Sequence, residues 1–252
     1  MGALRILKDL LTFLTILPVQ MDQDTLVNAA RFMYLFPLVG GLIGALSGLV
    51  ALALFHCLPS LIAAFLTLSF TLLLTGLHHM DGLLDFGDGI MYYGSAEEKI
   101  RAMHDVNTGV GGATLGLLVI ILTGACIAYI PSPILFFSIL TSEVSAKLAM
   151  VATATFGGVV EKSSGAPFVK TMKRRWFLVL SFALSALLCI PGLLFLGALV
   201  PLIGAVAGLA TAWIANRHFK GITGDVFGAT NELARLVCLI VVLALSKYPA
   251  LY

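Results

Sequence analysis

Long apolar runs alternate along this chain with two kinds of break. Nearly uncharged stretches occupy Tyr34 to Phe55, Leu58 to Leu77, Val110 to Ile130, Ile134 to Phe156, Trp176 to Ile190, Leu193 to Ile214 and Leu233 to Ser246. A helix crosses a bilayer core with about 20 apolar residues, so the pattern predicts about seven transmembrane helices. The breaks "HCLPS", "IPSP" and "IPGL" are short, hold Pro, Gly or Ser, and lack Lys and Arg; the alternate connections are long and basic. Pro191 and Gly192 fit a kink in one long element as well as a turn between two. Near the start, Arg5, Lys8, Asp9, Thr12 and Thr15 recur at helical spacing, which predicts a short helix lying in the membrane interface. The expectation is an all-α, polytopic integral membrane helical bundle, a single domain over residues 1–252.

Composition agrees. Hydrophobic residues make up 60% of the 252 and charged residues 11%, against roughly 25% charged in soluble domains. A net charge of +2 is too small to point to nucleic acid. Cys57, Cys126, Cys189 and Cys238 are far apart, with no zinc-site spacing, and read as small apolar fillers. The stretch "LLTFLTILPVQMDQD" lacks the small-residue cleavage site of a signal peptide and is expected to be retained.

The charges are distributed by side. On the seven-helix pattern, Arg5, Lys8, Arg31, Lys99, Arg101, Lys162, Lys170, Lys173, Arg174, Arg175, Arg217, Lys220 and Arg235 share one face, which the positive-inside rule makes cytoplasmic. Every Asp and Glu except Glu143 falls on that face too. Glu143 and Lys147, an i, i+4 pair within the fourth stretch, can pair structurally or serve function.

The densest acidic segment is "LHHMDGLLDFGDG", where Asp81, Asp85 and Asp88 stand at i, i+4 and i+7. On a helix continuing from the second span they share one face, with neighbours about 5–6 Å apart at Cβ. Such repulsion raises a pKa or is relieved by a cation, and repeated hard oxygen ligands suit Mg2+. The alternative, a solvated acidic face, sits poorly with Leu83, Leu84 and Phe86 between the acids. His79, two residues before Asp81, is a candidate base or carboxylate partner, His78 less so, and an interfacial role is the competing reading.

Two further segments face the same side. In "MHDVNTGVGGATLG", Asp105, Asn107, Gly109 and Gly112 form a glycine-rich helix entry able to bind phosphate, unless the glycines serve packing. Gly112 with Gly116, like Gly40 with Gly44, has the spacing of close helix contacts. In "GITGDVFGATNE", Thr223 and Asp225 are candidate helix caps, and Asp225, Gly228 and Glu232 lie nearly on one face. The two acidic clusters read as two halves of one site.

At these residues the chain resembles the cobalamin synthase family, the adenosylcobinamide-GDP ribazoletransferases. The family's "LHxDGxxDxxDG" signature stands here as "HMDGLLDFGDG" with His79, its "MxDxxxGxxG" segment as "MHDVNTGVGG", and its "GxTGDxxGAxxE" segment as "GITGDVFGATNE". "LTFLTILPV" and "FPLVGGLIG" match its opening, and the likeness spans almost the whole chain. Ile16 stands where the family pattern has arginine, and Lys220 where it has a second glycine. The resemblance implies a cytoplasmic-membrane transferase that joins adenosylcobinamide phosphate, from its GDP-activated form, to α-ribazole or its 5′-phosphate with release of GMP. It implies one or two Mg2+ ions on Asp81, Asp85 and Asp88, with Asp225 and Glu232 completing the metal shell or orienting the nucleophile, and His79 or a carboxylate taking the hydroxyl proton. Lys173, Arg174, Arg175, Arg217 and Lys220 are candidates for nucleotide phosphate, or set topology alone. Rival readings are a CDP-alcohol phosphotransferase, whose "DGxxAR" pairing is missing after Asp81 and Gly82, and a cation or corrinoid transporter, for which only Glu143 and Lys147 lie at mid-membrane depth.

Overall fold

The computed structural model describes residues 2–17, 24–248 and 250. Over them the chain forms α1 (Ala3–Leu14), α2 (Thr25–Arg31), a 3-10 turn (Met33–Leu35), α3 (Phe36–Cys57), α4 (Ser60–Leu74), α5 (His78–Met91), α6 (Ala96–Met103), α7 (Val110–Tyr129), α8 (Ser132–Phe156), α9 (Ala166–Met172), α10 (Trp176–Phe219) and α11 (Gly224–Leu245). There is no strand among the described residues, only an isolated bridge between Val159 and Ile222. Residues 18–23, part of the stretch read as lacking a cleavage site, lie outside the described residues.

Helix α8 is the axis of the bundle. Within its most apolar window 83% is buried, against 39% for α3 and 33% for α10, which turn wide faces outward. Small residues permit this. A Cβ on Gly40 would come 2.7 Å from the Glu143 carbonyl oxygen, one on Gly44 2.6 Å from Leu140 Cα, and one on Gly204 2.7 Å from the Ser145 carbonyl oxygen. Gly208 has no room for one against the Ala149 carbonyl. Apolar contact alone does not drive helices together in lipid, so close backbone approach and interhelical hydrogen bonds hold this core. Thr153 Oγ1, for instance, donates to the Gly208 carbonyl at 2.9 Å. Gly40 and Gly44 are therefore packing residues.

Among the described residues five helices are long and apolar enough to cross a membrane: α3 with its preceding turn, α7, α8, α10 and α11; the bent pair α4 and α5 makes six if counted as one span. The expected second span thus ends early, at Leu74, after 15 residues. Gly76 (φ 67°) and Leu77 (φ 61°) turn the chain, with Leu77 N–H donating to Leu72 at 3.0 Å and Gly76 N–H to Leu73 at 2.9 Å. That is a Schellman cap, and it sets α5 at 93° to α4 rather than continuing it.

Helix α10 runs through 44 residues, about 66 Å at 1.5 Å per residue, over twice the hydrocarbon core. It is broken at Leu194 (φ 46°, ψ −115°). Gly197 has no room for a Cβ against the Cys189 carbonyl, so the chain doubles back there. The fifth and sixth expected spans are its two arms, and the reversal lies just past Pro191 and Gly192. A total of seven is reached only by taking α10 as two arms and α4 as a full crossing.

Helix α1 is the short amphipathic helix expected near the start. Asp9 is buried, faces α2 and accepts from Asn28 Nδ2 at 2.7 Å. Leu10 and Leu14 are buried in the core, and Leu4, Arg5 and Leu7 are exposed.

Gly44→Ala is expected to cost about 1–3 kcal/mol through overpacking, whereas Gly41→Ala, whose Cβ would meet only side chains at 3.4 and 3.8 Å, is expected to cost well under 1 kcal/mol. Thermal unfolding of both variants in detergent checks this.

Candidate functional site

Helix α5 crosses the first turns of α7 and α11, and glycines at the crossings decide how closely. A Cβ on Gly82 would come 2.9 Å from Asp225 Cα, one on Gly228 2.8 Å from the His79 carbonyl oxygen, and one on Gly87 2.9 Å from Gly112 Cα. Lying over helix ends, α5 is not itself a span. Because Gly82 follows Asp81 and meets Asp225, the backbone contact brings carboxylates from two distant segments to one place.

Asp85 registers that convergence. Its carboxyl is pushed up to about 6, first by burial, then by the negative charges of Asp225, Asp81 and Asp88, with His104 acting in the opposite sense. Asp81 is exposed, and Asp85, Asp88 and Asp225 are half-buried. Thr223 caps α11, its Oγ1 accepting from Val226 N–H at 3.4 Å and donating to Asp225 at 3.1 Å. His104 Nε2 lies 3.6 Å from Asp225 Oδ2. No periodicity in the sequence links His104 to these acids.

Asp88 does different work from its neighbours. Its two oxygens accept from Gly109 N–H at 2.7 Å and Gly112 N–H at 2.8 Å. The glycine amides expected to bind phosphate are therefore capped by a carboxylate from α5, which satisfies otherwise orphan donors of α7. Gly112 also packs against the Leu84 carbonyl. Asp105 Oδ1 accepts from Asn107 N–H at 2.9 Å, an Asx turn on an exposed loop. Both residues line, with Asp88, Tyr92 and Arg101, a cavity of about 500 Å³ at the C-terminal end of α5.

Glu232 does not join the cluster. It is buried with Arg235, Glu143, Lys147 and Asn231 inside the bundle. Arg235 donates to Glu143 through Nε and to Glu232 through Nη1. Lys147 Nζ donates to Asn231 Oδ1 at 2.5 Å, Asn231 Nδ2 to Glu232 at 3.0 Å, and Lys147 stands 3.9 Å from Glu143. Two acids and two bases answer one another where water is scarce. Arg235, grouped by sequence with the exposed basic residues, is 2% exposed; its i+3 spacing from Glu232 was the signal. The Glu143–Lys147 pairing exists, but Arg235 is the closer partner of Glu143.

His79 is buried on the other side of α5, its pKa held well below the ordinary value by burial and by the positive charge of Lys147, Arg235 and His78. Its Nδ1 makes no hydrogen bond among the described residues. It lines a second cavity, of about 450 Å³, with Gly224 and Gly228 of α11. Helix α5 thus runs from one cavity to another, with Asp81, Asp85 and Asp88 between.

The expected cationic contacts lie apart from the acids. Lys220 (φ 61°) pairs with Glu97 at 3.0 Å, and Arg217 stacks over Trp213 at 5.8 Å, both exposed. Lys173 and Arg174 line a separate cavity with Arg31 and Trp176; Arg175 lies over Phe156.

Among the described residues no three His, Cys, Asp or Glu side chains form a ready metal cage. Mg2+ seldom uses one: it takes one or two carboxylates and completes an octahedron with water and substrate phosphate. Asp81, Asp85 and Asp225, repelling one another beside open space, suit that use. Asp88 and Glu232 are already engaged.

Fold and site define a polytopic membrane enzyme with an acidic centre at one end of its bundle. The chain belongs to the cobalamin-5-phosphate synthase family, whose model matches residues 7–243, and so to the transferases of cobalamin assembly. It is 35% identical over 254 residues to the adenosylcobinamide-GDP ribazoletransferase of Methanococcoides burtonii, covering 95% of this chain and 92% of that one. It is likewise 35% identical over 244 residues to the enzyme of that name from Thermococcus onnurineus, covering 96% and 99%. No solved structure matches.

Removing Arg235 alone leaves two buried acids, Glu143 and Glu232, with one base, Lys147. Arg235→Met is expected to cost about 3–5 kcal/mol, and adding Glu143→Gln, which leaves Glu232 and Lys147 balanced, to recover most of it. Unfolding of the single and double variants in detergent measures both.

Proposed function

We propose that this chain is an adenosylcobinamide-GDP ribazoletransferase of the cytoplasmic membrane, working with Mg2+ at its cytoplasmic face. The observation that carries the reading is the meeting of Asp81 and Asp85 with Asp225, raising Asp85 toward neutrality. A pyrophosphate is anionic and would be repelled by these carboxylates unless a cation stood between. Bound Mg2+ supplies that charge neutralisation, and Asp81 and Asp225 are the residues to hold it.

In the reaction a ribose hydroxyl of α-ribazole, one that is free in the 5′-phosphate as well, forms a bond through its oxygen to the phosphorus nearer cobinamide. The bond from that phosphorus to the bridging oxygen breaks, and GMP leaves with the electron pair. Such transfer depends on positioning and charge neutralisation more than on covalent help from protein. Asp85, ionised above about 6 yet still basic, accepts the hydroxyl proton, which suits a general base operating near neutrality. His79, buried off the cluster, gives up that role. Arg101, with Tyr92, Asp105 and Asn107 beside Asp88, offers a cation and polar edges for the nucleotide of the donor. The basic residues flanking this end, Lys99, Arg101, Lys220 and Lys173 among them, support its placement toward the cytoplasm.

Detergent-purified protein given adenosylcobinamide-GDP and α-ribazole is expected to release GMP only with Mg2+. Asp85→Asn is expected to lower the rate about 10²–10⁴-fold, and Asp81→Asn and Asp225→Asn to raise the Mg2+ concentration needed. No release by folded wild type with either form of α-ribazole overturns the reaction; undiminished rates in Asp85→Asn move the base elsewhere.

A further inference from the structure

The cavity at the N-terminal end of α5 has no part in the chemistry above. Its wall is aromatic: Phe13, Phe36, Phe168 and Phe227 all line it. Phe168 contacts the other three, with ring centroids at 5.2 Å to Phe13, 6.1 Å to Phe36 and 5.7 Å to Phe227. Met33 and Met150 add thioethers. Edge-to-face rings and polarisable sulfur favour a flat π-system. At about 450 Å³ the space is in the range of small-molecule sites.

On this apolar lining stands one group that has not found its partner. His79 is 7% exposed, and its Nδ1 is buried without a hydrogen bond among the described residues. Either tautomer leaves a donor or an acceptor unmet there, at a cost of about 1–3 kcal/mol. An acyl chain would fill the volume and offer the His79 imidazole no partner; a nitrogen heterocycle matches the aromatic wall and gives that ring a hydrogen-bonding neighbour. Position points the same way. His79 lies two residues from Asp81, and the cavity residue Gly224 directly precedes Asp225. The cavity wall and the acidic centre are thus joined through both α5 and α11.

We propose that this cavity is the acceptor subsite, taking the flat aromatic base of a nucleoside between the phenylalanine rings, with His79 hydrogen-bonding a ring nitrogen and the ribose reaching Asp81 and Asp225. The assignment of the ligand as acceptor rests on the reaction proposed above; the aromatic heterocycle site does not.

Equilibrium dialysis of α-ribazole against the full-length protein in detergent, without donor or Mg2+, tests it. Leu26 lines the mouth and is 38% exposed, so Leu26→Trp fills the cavity from its surface. That variant is expected to abolish binding while leaving Mg2+-dependent binding of GDP within twofold of wild type. His79→Phe keeps a ring of similar size and removes both nitrogens; it is expected to weaken α-ribazole about tenfold, as for one lost buried hydrogen bond. Free benzimidazole is expected to compete, and decanoate not. Binding unchanged in both variants, or displacement by decanoate alone, overturns the subsite. GMP release with an α-ribazole KM unmoved by Leu26→Trp overturns the subsite and leaves the reaction standing. Binding with the expected losses but no GMP release overturns the reaction and leaves the heterocycle site.

Discussion

Backbone approaching backbone at four glycines is the contact on which everything else here depends. Gly82, Gly87, Gly112 and Gly228 let α5 rest directly on the first turns of α7 and α11. A methyl group at any of them meets main chain, which cannot move aside as a flexible side chain can. Only at that separation does Asp225 stand near enough to Asp81 and Asp85 to be felt by them. Only there does Asp88 reach the amides of Gly109 and Gly112. One acid of the α5 row therefore serves as a joint, and the remaining ones are left uncompensated beside the cavities.

The bundle beneath treats charge in the opposite way. Glu143, Glu232, Lys147 and Arg235 are buried, and the hydrogen bonds among them and Asn231 leave no member alone. In a low-dielectric core such groups are costly unless matched, and matching ties α8 to α11 at the level just below the site. Satisfied charges form the foundation and unsatisfied ones the surface, so a cation arriving at the surface finds carboxylates whose repulsion it relieves without disturbing the helices.

Much of this is legible in the residues, and what is not has a physical reason. The row Asp81, Asp85, Asp88 declares a shared helical face by spacing alone, and "GITGDVFGATNE" shows its cap in Thr223. The alternation of tight and basic breaks locates most helices, including the reversal within α10. Glu232 and Arg235 mislead because Asp225 and Glu232 share a face on paper, and nothing local says that the face turns from water to core between them. The role of Asp88 is tertiary, since the amides it caps are more than twenty residues away. The bend after Thr75 needed Gly76 to be seen as a cap rather than as one more small residue in an apolar run. Lys220, where the family pattern has glycine, sits at φ 61°, a conformation glycine adopts freely and a lysine does not.

The right-angle bend also shapes the membrane. With α4 limited to 15 residues, its apolar length is about 22 Å, short of a hydrocarbon core of about 30 Å. Hydrophobic mismatch of this kind draws the leaflets together around the protein. A span this short favours a thinner bilayer on the flank where α4 meets α7.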